Sequence, residues 1–214
     1  MSKIIAVIGA QVPNFPYDSS MGFRVGHAIA KIMEKGDILL TGGVEGIGVD
    51  VFMGYAATPS KGTFACLIPL STTIKRKGVK EPIIIPFSLP EAYTSISKIT
   101  GKVIDVIQKG NDMWERREHL ARMVDIAIVL NGGPGTLHEA EMILEKGKTV
   151  VSLPISGGVA ELLAAYSYGD DKTIREFYGE GTLDKDIKWN IKNIQNVEFT
   201  TLNAVGEALK VVTA

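Results

Sequence analysis

Asn131-Gly132-Gly133-Pro134-Gly135-Thr136-Leu137-His138-Glu139 follows the apolar run Ile126-Ala127-Ile128-Val129-Leu130 and precedes Ala140-Glu141-Met142-Ile143-Leu144-Glu145-Lys146. The run reads as a buried strand and the last segment as a helix stopped by Gly147. A strand, a glycine-rich turn and a new helix together make an anion site. Glycines let backbone approach a phosphate closely, and the unpaired amides of the helix start point at it. Glu139 stands one turn into that helix, beside any bound phosphate ester, where simple anion binding would not want a carboxylate. It suggests chemistry at the ribose of a nucleotide. A blander reading makes Thr136 an N-cap and Glu139 its capping-box partner three residues on.

The same alternation extends outward in both directions. Residues 3–9, 37–41, 62–69, 82–86, 102–107, 125–130 and 148–153 read as strands; 20–35, 49–57, 112–124 and 135–146 read as helices. Prolines bounding 82–86 suggest an edge or a terminus. Residues 70–81 read as an exposed polar loop and 169–185 as irregular and acidic. Gly157-Gly158 opens a further helix or loop, 197–199 is a last strand and 201–212 a last helix. Strands alternating with helices predict an α/β fold: a Rossmann-like, doubly wound, mostly parallel sheet with helices on both faces. No repeat or linker interrupts it, so residues 1–214 are expected to form one nucleotide-binding domain. Ligands of such sheets bind beyond the carboxyl ends of the strands. Gly9-Ala10-Gln11, Thr41-Gly42-Gly43 and Gly132 to Thr136 should therefore meet at one crevice.

The chain has 214 residues, 45% hydrophobic and 22% charged, with a net charge of −1. That balance argues against a nucleic-acid footprint. One cysteine, Cys66, allows no disulfide within the chain and reads as a small core hydrophobe. No apolar run approaches the roughly 20 residues of a membrane span, and the N-terminus lacks signal-peptide character. A cytoplasmic protein with no membrane or nucleic-acid partner is expected. His27, His119 and His138 have no metal-ligand spacing, so no metal site is expected; the expectation for cofactors is likewise none. The chain holds neither a Gly-x-Ser-x-Gly elbow nor a Walker A sequence.

Upstream of the decisive turn lies Met113-Trp114-Glu115-Arg116-Arg117-Glu118-His119. Adjacent arginines on a helix point about 100° apart. One can face the crevice and hold a phosphate bidentately while the other faces solvent; the whole segment can equally be a solvated, salt-bridged face. Gly42-Gly43-Val44-Glu45-Gly46-Ile47-Gly48 departs from the dinucleotide fingerprint but can form an amide nest for phosphate, or simply a tight turn. Asp50 could contact a ligand hydroxyl, or merely stabilise a helix start. Trp114 reads as partly buried at the crevice border, where it could stack on a base.

Met113-Trp114-Glu115-Arg116-Arg117, followed by a strand and Gly132-Gly133-Pro134-Gly135-Thr136-Leu137-His138-Glu139, resembles the Lonely Guy (LOG) family of the Rossmann-like SLOG superfamily, proteins once labelled lysine decarboxylases. The similarity spans residues 3–153, including Thr41-Gly42-Gly43 after the second strand. It implies a dimeric phosphoribohydrolase without nicotinamide, cleaving a nucleoside 5′-monophosphate (a cytokinin ribotide or an AMP-like molecule) into free base and ribose 5-phosphate. The implied catalytic residues are Arg116 and Glu139. The implied phosphate-binding residues are Gly42, Gly43, Gly132, Gly133, Gly135 and Thr136, with Gly9, Ala10, Met113 and Arg117 completing the crevice. Asn131 stands where the family usually has proline, Arg117 for lysine, and His138 for a second acid. The wider superfamily also includes nucleotide-binding sensors, molybdenum-cofactor carriers and DNA-processing proteins. A non-catalytic binder or carrier of a nucleotide or phosphorylated cofactor is thus the alternative. Lysine decarboxylation is rejected, because no lysine sits in a Schiff-base setting with an acidic partner.

Overall fold

The computed structural model describes residues 2–74, 83–178 and 191–197. In chain order the elements are β1 (Ile4–Gly9), α1 (Ser19–Ile32), β2 (Ile38–Thr41), α2 (Ile47–Ala56), β3 (Thr63–Ile68), β4 (Ser71–Ile74), β5 (Ile83–Pro86), α3 (Glu91–Thr100), β6 (Asp105–Gln108), α4 (Met113–Met123), β7 (Ile126–Leu130), α5 (Pro134–Glu145), β8 (Thr149–Leu153), α6 (Gly158–Tyr168), α7 (Asp171–Tyr178) and β9 (Ile194–Asn196). Seven strands form one sheet in the order β6-β3-β2-β1-β7-β8-β9, with every neighbouring pair parallel. This is the α/β architecture expected from the alternating pattern.

β1 lies in the middle, with Ile5 opposite Leu39 of β2 on one side and Ile126 of β7 on the other. The strand order runs outward from β1 toward β3 first and toward β8 later. The topological switch point therefore falls between β1 and β7, where open α/β sheets bind ligands. The connection β6–α4–β7 spans the sheet from its far edge to this point. That crossover carries Arg116 and Arg117 to the centre of the molecule.

Both sheet faces are covered. On one, Val25 and Ile29 of α1, Val51 and Phe52 of α2 and Tyr93 of α3 pack on Ile5, Val7, Leu39 and Phe64. On the other, Leu120 of α4, Leu137 and Ile143 of α5, Leu162 of α6 and Ile174 of α7 pack on Ala6, Ile8, Leu40 and Val129. Fully apolar strands such as β7 follow from this, since both faces are dry. Helices α1 and α2 touch at their backbones. A Cβ on Gly26 would lie 1.9 Å from the Val51 carbonyl oxygen, and one on Gly54 1.9 Å from that of Phe23.

Several elements depart from the sequence expectation. Helix 20–35 ends at Ile32, because the Asp37 carboxylate binds the Glu34 amide and turns the chain into β2. The polar segment 70–81 is not all loop: Ser71–Ile74 pairs antiparallel with Ile83–Pro86 in a two-stranded ribbon apart from the main sheet. Residues 75–82 lie outside the described part. Helix α3 was unforeseen; it joins the core through the fully buried Tyr93, with Ile96 packed beside it. The strand expected at 102–107 is Asp105–Gln108, an edge strand. Part of the irregular stretch 169–185 is helix Asp171–Tyr178. The last described strand is Ile194–Asn196, three residues before the expected 197–199, although the Val197 amide still bonds to the Ser152 carbonyl. The helix expected at 201–212 lies outside the described residues.

Candidate functional site

One cavity of about 180 Å³ opens at the switch point. Gly9, Ala10 and Gln11 from the end of β1, Gly42, Val44 and Gly48 from the turn after β2, Met113, Arg116 and Arg117 from α4, and Gly135, Thr136 and Glu139 from α5 line it. Three sequence-remote turns thus meet at one rim, as the alternating pattern required.

The α4 helix starts where Asp112 accepts from the amides of Trp114 and Glu115, an N-cap that fixes its first turn. From there both arginines enter the cavity wall. The reading that one of them faces solvent is corrected: Arg116 is 3% exposed and the Arg117 side chain 22%. The solvated face lies elsewhere on the helix, where Arg122 pairs with Glu118 at 3.1 Å and Glu115 accepts from Asn111.

Arg116 donates through Nη2 to Oε1 of Glu139, and both groups are buried. Arg117 Nε lies 3.7 Å from the same oxygen. Two guanidiniums facing one carboxylate leave the wall net positive. The Nε atoms of Arg116 and Arg117 are buried and have no hydrogen-bond partner. Buried polar groups are ordinarily paired; Arg117 Nε keeps only its 3.7 Å ion-pair contact with Glu139. The turns accommodate the guanidiniums through their glycines: a Cβ on Gly42 would lie 2.8 Å from Arg116 Nη1, and one on Gly135 2.7 Å from Arg117 Nη2.

The capping-box reading of Thr136 and Glu139 does not hold. Gly133 is the N-cap, its carbonyl accepts from the amides of Thr136 and Leu137, and Glu139 turns to Arg116. Pro134 has no amide hydrogen, so Gly135 supplies the first-turn donor of α5 at the cavity. At α2 the Ile47 amide is taken by the Ala10 carbonyl, and Gly48 is the first-turn residue that reaches the cavity.

Three expected phosphate contacts serve the turns instead of lining the cavity. Gly43, at φ +64°, faces Ile68, Leu89 and Cys66; Gly132, at φ +108°, folds against Thr136 and accepts from the Val159 amide; Gly133 caps α5. Asn131 explains its departure from proline. It sits at φ +50°, a region closed to proline's fixed ring. Its side chain bridges Asn14, on the loop after β1, to the Ser156 carbonyl.

Sequence reasoning missed Tyr93. It lies buried beneath the β2–α2 turn, donating to the Val44 carbonyl at 3.1 Å and meeting the Thr41 hydroxyl at 3.3 Å. Burial holds its hydroxyl above the usual phenol range. Asp50 does not line the cavity. It accepts a 2.8 Å bond from Tyr17, and burial raises its carboxyl while that bond acts the other way. Cys66 is fully buried, as expected, and burial pushes its thiol up to about 12. Among the described residues no three His, Cys, Asp or Glu side chains are grouped to hold a metal, and no helix is long and apolar enough to cross a membrane.

The family model described as the SLOG cluster4 family matches residues 2–178. The chain belongs to the SLOG cluster4 family. No curated protein matches the sequence. Among solved structures, this SLOG chain is similar to the molybdenum cofactor carrier protein of Chlamydomonas reinhardtii, with 19% identity over 100% of this chain and 99% of that one and a TM-score of 0.60. It is also similar to the molybdenum cofactor binding protein of Rippkaea orientalis, with 18% identity, coverages of 100% and 99%, and a TM-score of 0.60. DNA processing protein A of Helicobacter pylori, described for single-stranded DNA binding, matches at 16% identity over 98% of this chain and 81% of that one, with a TM-score of 0.57. At such identities these likenesses establish the shared SLOG fold, which serves enzymes and non-catalytic binders alike.

Proposed function

We propose that the crevice binds a nucleoside 5′-monophosphate by its phosphate and hydrolyses the N-glycosidic bond. The observation that carries this reading is the buried Arg116–Glu139 pair facing a net-positive cavity at the switch point. The phosphate docks on the amides of Gly48 and Gly135 and on the guanidinium of Arg117. Glu139 then stands beside the ribose. As the C1′–N bond breaks, its carboxylate stabilises the oxocarbenium-like sugar or orients the attacking water. Water adds hydroxide to C1′, its proton goes to the leaving base, and ribose 5-phosphate remains. Arg116 fixes the carboxylate's position and orients the ester.

A second reading makes the same crevice a carrier site for a phosphorylated cofactor. Its support is the closure of Glu139 between two guanidiniums, which turns the acid toward the wall, together with the likeness to proteins described as molybdenum cofactor carriers. Incubation with a panel of nucleoside monophosphates, followed by chromatography for free base, separates the two. Hydrolysis predicts base release that Glu139→Gln abolishes while the circular dichroism spectrum is retained. Tight binding without base release supports the carrier. Unchanged turnover in both Glu139→Gln and Arg116→Ala would refute the assigned roles.

A further inference from the structure

Trp114 is 55% exposed, yet its ring is held rather than free, tilted against His138 with centroids 4.1 Å apart and planes at 37°. Neither residue takes part in the phosphate site described above. Their position follows from helix geometry. At about 100° per residue, Met113, Arg116 and Arg117 occupy one arc of α4, and Trp114 stands about 60° beyond Arg117. On α5, Gly135, Glu139 and Thr136 occupy an arc, and His138 stands about 60° before Gly135. The two rings therefore meet across the α4–α5 seam, just outside the wall formed by Arg117 and Gly135, whose close approach ties the helices together there.

The cavity has room for part of a nucleotide. At about 180 Å³ it falls below the roughly 300–1,000 Å³ of pockets that enclose whole ligands of drug size. A sugar phosphate seated on Gly48, Gly135 and Arg117 leaves a ring attached at C1′ at the mouth. A half-exposed indole held by a neighbouring imidazole is a surface on which a planar ring stacks.

We propose that the Trp114–His138 ledge is a stacking platform for the heteroaromatic base of a bound nucleotide, making the chain select nucleotides over bare sugar phosphates. This rests on the phosphate-binding reading of the crevice. The platform is sequence-tolerant toward the base, because every base presents a π-face. Preference among bases falls to other groups at the mouth.

Calorimetric titration with carbocyclic AMP, in which a ring carbon replaces the ribose oxygen and blocks cleavage, and with ribose 5-phosphate tests this. Trp114→Ala should weaken carbocyclic AMP about tenfold, within the range that base–aromatic stacking contributes, and leave ribose 5-phosphate unaffected. Trp114→Phe should retain most of the affinity for carbocyclic AMP. An unchanged ratio of the two affinities in Trp114→Ala overturns the platform while the phosphate site stands. A lower sedimenting mass in Trp114→Ala, with both ligands affected equally, assigns the ring to contact between copies and also overturns it. Binding of neither ligand by the wild-type chain refutes the phosphate site, and the platform with it.

Discussion

Removing Arg116 should destabilise the chain because it strands a buried acid. Arg116 and Glu139 expose only 3% and 9% of their side chains, so their pairing is little screened by solvent. Truncating one partner of such a pair costs about 3–5 kcal/mol, most of it the penalty of an uncompensated buried charge. Arg117 Nε remains 3.7 Å from Glu139 and offsets part of that charge. The expected loss for Arg116→Met is therefore near the lower end, ~3 kcal/mol. For a chain of this size each kcal/mol moves Tm by about 2–4 °C, which gives a fall of ~6–12 °C in calorimetry. Glu139→Gln should cost a similar amount, since it leaves two guanidiniums close together with no carboxylate between them. Inorganic phosphate should restore stability to Glu139→Gln more than to Arg116→Met, because the first variant has gained net positive charge and the second has lost it. The double variant should cost less than the two losses combined, as neither charge is then left alone. Additivity within ~0.5 kcal/mol, or a Tm change below ~2 °C in either single variant, would refute the reasoning.

Asn131→Ala should cost about 2–3 kcal/mol, combining a left-handed backbone on alanine with lost side-chain bonds. Asn131→Gly, which keeps the φ of +50° at no strain, should cost less. Both should speed hydrogen exchange over residues 10–18, and equal exchange in wild type and variants would show that the Asn14 bridge does not hold that loop. Cys66 should resist Ellman's reagent at pH 8 in the folded chain and react on unfolding. Burial raises the thiol from near 9 to about 12, so the neutral thiol's contribution to stability is full below pH 9 and is lost as pH rises toward 12. The stability difference between wild type and Cys66→Ala should shrink across that window in denaturant titrations; a difference that stays flat would count against the burial argument.

The parallel sheet was legible in the sequence because both of its faces are buried. β7 is a continuous apolar run leading into a glycine turn, and such a run carries its own signal. The rim residues were legible for a related reason: a parallel sheet sends the ends of β1, β2 and β7 to one edge wherever those strands lie in the chain. Half of the two-stranded ribbon was legible, since 82–86 reads as a strand; its partner Ser71–Ile74 was not, because it lies in a segment that reads as a polar loop and its pairing is all that defines it. Helix α3 was also missed, although Tyr93 and Ile96 give it an apolar face toward the core.

Local sequence determined the glycine turns, the carboxylate at 139 and the arginine doublet at 116 and 117. Which of these groups touch was decided only by the tertiary fold. Thr136 and Glu139 carry the spacing of a cap, and local chemistry alone would satisfy it. The β6–α4–β7 crossover instead brings Arg116 beside Glu139 where both side chains are largely withdrawn from solvent, and the ion pair prevails over the cap.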